Sequence, residues 1–230
     1  KRSPDGQIKE YKYTREMAQT IVSRLNSLGL SAQRLVMENH DVPLSERCRR
    51  ANEYKDNHIL VSLHLNAAGA DRKWHNASGF SCFIANNASE RSKWLAKAFT
   101  EQAIQLNLIG NRHIPPNKTW VQNLAICRNT TCPAVLTESL FMDNLSDAAI
   151  LLSDNGFKAI TDLHVNANYH TLKNSTNNHE KISGHNTDTV APVLLVNKKD
   201  ICNTKLKYAR HKPHRHHPRH SQHHTAKPFA

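Results

Sequence analysis

The stretch Ile59-Leu60-Val61-Ser62-Leu63-His64-Leu65-Asn66-Ala67-Ala68 decides the fold. It is a short, nearly continuous apolar run that turns polar at its carboxyl end. Runs of this kind are strands buried on both faces, and such strands occur in parallel sheets covered by helices. A second run has the same form: Pro133-Ala134-Val135-Leu136-Thr137-Glu138-Ser139-Leu140-Phe141. In an open α/β sheet, ligands gather at the carboxyl ends of the strands. Set parallel, the two runs deliver His64 and Glu138 to one rim, aimed at one point. That pairing suggests a metal ion with a catalytic base beside it.

Upstream of this pair, a helical period begins at Glu10, with Thr14, Met17, Ala18, Ile21, Val22, Leu25 and Leu28 on one face and Gly29 as a stop. Ala32 to Met37 reads as a short strand. Ser45 is expected to cap a second helix that turns Leu44, Cys48 and Ala51 inward. Downstream, Gly79 to Ala85 reads as a strand and Ser89 to Leu106 as a helix with Trp94, Leu95, Ala98, Phe99 and Leu106 on its core face. Asn107 to Gln122 is irregular, Leu124 to Cys127 reads as a short strand, and helices are expected near Asp147–Leu152 and Gly156–Tyr169. The alternation of strand and helix predicts an α/β domain, a twisted and mostly parallel sheet with helices on both faces.

The 230 residues suffice for one such domain with some excess. The formal charge of +12 is uneven: residues 171–230 carry 11 Lys and Arg against 3 Asp and Glu, and residues 1–170 carry 20 against 16. Residues 1–170 are therefore read as the domain, and 171–230 as a basic extension. Within that extension Val190 to Val196 is a lone apolar patch, and residues 210–224 hold seven histidines. This composition buries too little surface to offset chain ordering, so a disordered tail is expected. The five cysteines are odd in number and follow no framework spacing, which favours buried or idle thiols. No apolar run approaches the ~20 residues of a membrane span.

Taken singly, the chemical residues are ambiguous. A lone Ser-x-His-x-Asn is more often a satisfied histidine at a strand end than a ligand. Glu138, directly after Ala-Val-Leu-Thr, needs an arginine or a metal to face it. Glu10, in a first helical turn, is also where an acid offsets the helix dipole. A hydrolytic zinc site takes three protein ligands, His or carboxylate, and leaves a fourth position for water.

Order and context discriminate. The chain resembles the zinc-dependent N-acetylmuramoyl-L-alanine amidases of the amidase type 3 family, closest to their Bacteroides-type members. The matching pieces are Glu10 heading Glu10-Tyr11-Lys12-Tyr13-Thr14-Arg15-Glu16-Met17-Ala18, then Leu44-Ser45-Glu46-Arg47-x-x-x-Ala51-Asn52. Ser62-x-His64-x-Asn66-Ala67-Ala68 and Pro133-Ala134-Val135-Leu136-Thr137-Glu138-x-x-Phe141-x-x-Asn144 complete the set, across roughly residues 1–170. The resemblance implies a phosphorylase/hydrolase-like sheet and cleavage of the amide between N-acetylmuramic acid and L-alanine in peptidoglycan. It makes Glu10 and His64 Zn2+ ligands and Glu138 the catalytic carboxylate. Asn66, Ala67 and Asn144 would shape the site, and Arg112 and Gln122 would flank the substrate groove. The family's third ligand is a histidine on a Gly-His-Gly-type turn after a first strand, upstream of the helix that Glu10 heads. The chain starts at Lys1, past that point, and His40, His58 and His75 lack the right context. The expectation is thus a sheet short of its first strand and a site with two ligands.

Three functions follow as expectations. The first is a zinc-dependent peptidoglycan amidase, acting in the periplasm or outside the cell, with any export signal upstream of Lys1. The second is a truncated amidase that binds cell-wall polymer without cutting it. The third is nucleic-acid binding through the basic tail, which no aromatic interleaving or fold motif supports.

Overall fold

The computed structural model describes residues 1–54, 58–183 and 193–197, with side chains described as far as residue 173. The histidine-rich stretch 210–224 and Cys202 lie outside the described residues.

Strands β2 (Ile59–Asn66) and β5 (Ala134–Phe141) are the two apolar runs, and they pair in parallel at the centre of the sheet. All eight residues of β2 are buried. Alternation divides their side chains between two layers. Ile59, Val61, Leu63, Leu65 and Val135 join one core cluster, whereas Leu60, Ala134 and Leu136 join the other. The first cluster lies under α1 (Glu10–Ser27), α3 (Glu90–Gln105) and α6 (Asp154–Ser183), the second under α2 (Leu44–Glu53) and the short α4 (Ala125–Arg128). With β1 (Ala32–Arg34), β3 (Ser81–Ile84), β4 (Trp120–Val121) and β6 (Val193–Asn197), the sheet runs β1-β6-β2-β5-β3-β4. Only the β3–β5 pairing is antiparallel. The expected α/β sheet with helices on both faces is therefore the observed one.

Three local expectations need correction. Leu124–Cys127 is not a strand: Ala125–Arg128 form one helical turn, and the strand there is Trp120–Val121. An apolar run of four residues fits either period, so its neighbours decide. Pro43, not Ser45, precedes α2, its fixed φ setting the entry to the first turn. Val193–Asn197, within the expected lone apolar patch, is an interior strand, and α6 continues past residue 170 to Ser183. A run of four aliphatic residues gives no local sign of a pairing partner so distant in the chain. β6 pairs with both β1 and β2.

Cys48, Cys82 and Cys127 are buried and free and Cys132 is partly buried and free, as thiols serving as small hydrophobes should be. Burial pushes the Cys127 thiol up to about 12.

Candidate active site

Glu10 opens α1 and is 1 % exposed. Its main-chain nitrogen donates to the carbonyl of Lys1 (3.1 Å), so the first residues fold back against the helix start. The carboxylate points over the rim of the sheet. Oε1 lies 3.4 Å from His64 Nδ1, and Oε2 lies 3.5 Å from the main-chain nitrogen of Lys1. A buried carboxylate is costly unless a donor group or a metal ion faces it.

His64 is buried near the end of β2, and its other ring nitrogen, Nε2, lies 2.9 Å from Ser62 Oγ. Residues two apart share a strand face, which is why the serine reaches the ring. A hydroxyl both donates and accepts, so Ser62 satisfies Nε2 in either tautomer. In the Nε2–H form, the Nδ1 lone pair faces the Glu10 carboxylate, giving two metal-binding donor types side by side.

Glu138 is the register partner of His64 across β2 and β5, and Ser81 is the partner of Glu138 across β5 and β3. Ser81, Glu138 and His64 thus form one row over three strands, each about 4.8 Å from the next. Beyond this row the ladder slips: His64 pairs with Glu138, but Asn66 pairs with Phe141. The extra residue is a bulge on β5, and Leu140 takes φ +70°. In a regular strand Leu140 would share a face with Leu136, four residues earlier. It instead packs in the opposite cluster. Left-handed backbone at a leucine costs roughly 1–3 kcal/mol, and strain of this kind gathers at functional sites.

Thr137 points away from Glu138 into the α6 layer. Its Oγ1 lies 3.0 Å from His164 Nε2, while His164 Nδ1 donates to the carbonyl of Ile160 (2.8 Å). Complete burial lowers the His164 pKa to about 4, against the opposing pull of the Ile160 carbonyl. The ring is neutral at pH 7, so the threonine hydroxyl donates to it.

The rim is closed by residues 67–78. Asp143 Oδ2 accepts from Gly69 N (3.0 Å), its carbonyl accepts from His75 N (2.7 Å), and Asn144 Nδ2 donates to the His75 carbonyl (2.9 Å). Asn144 also caps α5 (Leu145–Leu152) through Asp147 N. Asp147 accepts from Gly79 N and Phe141 N, and burial nevertheless raises its pKa. Asn66 spends its Oδ1 on Ala67 N and its carbonyl on Met142 N, both at 2.9 Å, which fixes the turn leaving β2.

The structure brings Glu10, His64 and Glu138 to one rim. Arg112 and Gln122 fall to one side, by β4. The Arg112 guanidinium sits between the rings of Trp120 (5.9 Å) and Phe141 (5.4 Å), and Gln122 N donates to the Ile84 carbonyl. Sequence reasoning missed Ser62 as a partner of His64, although their spacing put both on one face. It also missed Ser81 and Asp143, whose positions depend on antiparallel register and loop docking. Among the described residues no group of three His, Cys, Asp or Glu is placed to hold a metal ion.

A family model described as N-acetylmuramoyl-L-alanine amidase, Amidase_3, matches residues 2–168. The chain belongs to the type 3 N-acetylmuramoyl-L-alanine amidase family. It is similar to the endolysin of Bacillus phage SPP1, with 28 % identity over 159 residues, 68 % of this chain and 56 % of the endolysin. It thus spans little more than half of that curated relative. Among solved structures, the amidase Ami1 of Mycobacterium smegmatis superposes with a TM-score of 0.66 at 20 % identity, covering 76 % of this chain and 81 % of Ami1. The catalytic domain of CwlV from Bacillus (Paenibacillus) polymyxa gives 0.62 at 20 %, covering 74 % and 89 %. At those identities the likeness is one of fold, so this amidase-family chain's chemistry has to be argued from its own residues.

Proposed function

We propose that this chain is a peptidoglycan hydrolase cutting the amide between N-acetylmuramic acid and the L-alanine of the stem peptide. The observation that carries the reading is the convergence of Glu10, His64 and Glu138 on the carboxyl rim of the sheet, within a chain of the type 3 amidase family.

Glu10 and His64 fit zinc by donor chemistry, a carboxylate and an imidazole, both buried with facing atoms 3.4 Å apart. A zinc ion held there would acidify a water toward pKa ~7 and polarise the scissile carbonyl. Glu138 takes the proton from the attacking water and returns it to the departing amine of L-alanine. Ser62 fixes the ring of His64, and the bulge at Leu140 sets the reach of Glu138. Arg112, braced by two aromatic rings, and Gln122 line the approach on the β4 side, where a guanidinium suits stem-peptide carboxylates. Because Lys1 lies against Glu10, any residues preceding it would enter the site there, where the resemblance puts a third ligand. A wall substrate implies work in the periplasm or outside the cell. No described helix is long and apolar enough to cross a membrane.

A second reading rests on the number of donors: two converge among the described residues where a hydrolytic zinc takes three. On it, the chain binds wall polymer without cutting.

The test uses purified peptidoglycan and the protein with whatever natural sequence precedes Lys1. The amidase should release stem peptides with a free L-alanine amine, and Glu138→Ala should lower turnover at least about 100-fold while sedimentation with the wall persists. Unchanged turnover in Glu138→Ala would refute the assigned mechanism. Sedimentation without release by the unaltered protein would favour the second reading.

A further inference from the structure

The periodicity of α3 sets Trp94 beside Leu95, Ala98 and Phe99 toward the core, yet the indole is 64 % exposed while Leu95 and Phe99 are fully buried. A large apolar ring that packing leaves in water, at the edge of a groove, is how ligand surfaces are built. Trp94, Ala98, Gln102 and Gln105 stand four, four and three residues apart, one ridge of the helix about 16 Å long. Ala167 and His170 of α6 line the other side. Ala98 and Ala167 reach no further than a β-carbon, which leaves a groove of about 260 Å³ between the two packed helices.

The lining selects the ligand. Among the described residues of the groove, Glu101 alone is acidic and none is Lys or Arg, and Glu101 is paired with Lys118 (2.8 Å). An anion, whether a phosphate backbone or a stem-peptide carboxylate, meets no Lys or Arg there. An apolar peptide would strip water from Glu101, Gln102 and Gln105 without replacing it. Gln102 Nε2 donates to Gln105 Oε1 (3.0 Å), which leaves Gln102 Oε1 to accept and Gln105 Nε2 to donate. A sugar ring suits this set. Its C–H face lies on an indole, and the hydroxyl and acetamido groups around its edge both donate and accept. Trp94 also borders a smaller hollow with Ile59, the first residue of β2. His64 is five residues further along that strand, so this end of the sheet is about 17 Å from the rim that carries Glu138.

We infer that the groove between α3 and α6 is a second glycan site, in which Trp94 stacks on the neutral N-acetylhexosamine backbone of the wall while Gln102, Gln105 and His170 bond its edge. The choice of wall glycan rests on the amidase reading, whereas a neutral sugar polymer is what the groove itself specifies. Holding the polymer at a point remote from the rim raises the local concentration of further bonds at Glu138.

The experiment is calorimetric titration of the full chain with the hexamer of β-1,4-linked N-acetylglucosamine, which carries no stem peptide. The unaltered protein should bind it, and Trp94→Ala should bind at least about tenfold more weakly. Gln105→Leu, at an exposed position, should also bind more weakly, and both variants should keep the parent's thermal midpoint within a few degrees. Glu138→Ala should bind as the unaltered protein does, which separates the groove from the rim. Sedimentation with insoluble peptidoglycan at about 0.5 M salt, where attraction by basic charge is screened, should fall for Trp94→Ala. Equal affinity for the hexamer in the unaltered and Trp94→Ala proteins, or no binding by either, would overturn the inference. So would a dimer by light scattering that Trp94→Ala dissociates, since the groove would then hold a second copy. Hexamer binding needs no hydrolysis, so failure of the amidase reading would leave this result standing, and a chain that cuts wall without binding the hexamer would refute the groove alone.

Discussion

At the scale of single residues, the polar groups beneath the site are as specified as those in it. His164 is fully buried, edge-on to Phe80 and Phe99, and joined through Thr137 to the strand that carries Glu138. Its pKa falls to about 4 in the folded chain, against 6.5 for an ordinary histidine. Between these values the unfolded chain binds a proton that the folded chain refuses. Stability is therefore complete above pH 6.5 and is lost as pH falls toward 4. Between pH 7 and pH 5 the loss is about 2 kcal/mol. Urea unfolding at the two pH values should show it, and His164→Gln should remove most of that pH difference; the same slope in the variant would mean other groups cause it. This histidine was not singled out in the sequence because a lone histidine in mid-helix carries no local mark of its role, and its burial follows from how α6 packs. Glu10, His64 and Glu138 were legible for the opposite reason. Each stands where an element begins or an apolar run ends, and a charged or titratable residue there is costly unless it has a use. Ser81 and Asp143 carry no such mark, since their place beside the site comes from register and from a loop folding back.

At the scale of elements, legibility followed contact distance along the chain. β2, β5, α1 and α3 announce themselves through local periodicity. The two-residue β4, the turn α4 and the bulge in β5 do not, because partners fix them rather than their own sequence. The loops beside Arg112 show how tight such non-local fitting is. Gly79 has φ +99°, and a β-carbon there would lie 1.7 Å from the Ile109 carbonyl oxygen. Gly110 approaches from the opposite loop, with the position of its β-carbon 2.7 Å from Gly79 N. Asn111 then bonds Ser78 N and the Asn76 carbonyl. Gly79→Ala combines left-handed strain with a backbone clash, so it should cost about 3 kcal/mol or more and displace the segment leading to Arg112. Thermal unfolding checks the first effect. The second should appear as a raised KM for wall fragments with kcat less affected. A variant as stable as the parent would show that the two loops separate without penalty.

At the scale of the whole molecule, net charge is concentrated toward one end of the chain. One compact unit runs from Lys1 to Asp200. The strand Val193–Asn197 is hard to read from the sequence because it is flanked by polar, low-complexity sequence, and its partners lie more than a hundred positions earlier. Residues 201–230 hold seven Lys and Arg and no Asp or Glu, so more than half of the net +12 lies past that unit. Long-range attraction to an anionic wall polymer depends on net charge and weakens with salt, whereas site recognition depends on short contacts that salt hardly touches. A chain ending at Asp200 should therefore unfold within a few degrees of the full chain, since it keeps β6. Its sedimentation with peptidoglycan should be weaker at low salt and should converge with that of the full chain near 0.5 M, where the Debye length is only about 4 Å. Ending the chain at residue 183 instead removes β6 and keeps α6, and its thermal midpoint should fall by about 5 °C or more. Equal binding by the Asp200-terminated and full chains at low salt would place wall attraction in the α/β unit itself, and the excess basic charge beyond it would then serve some other anion.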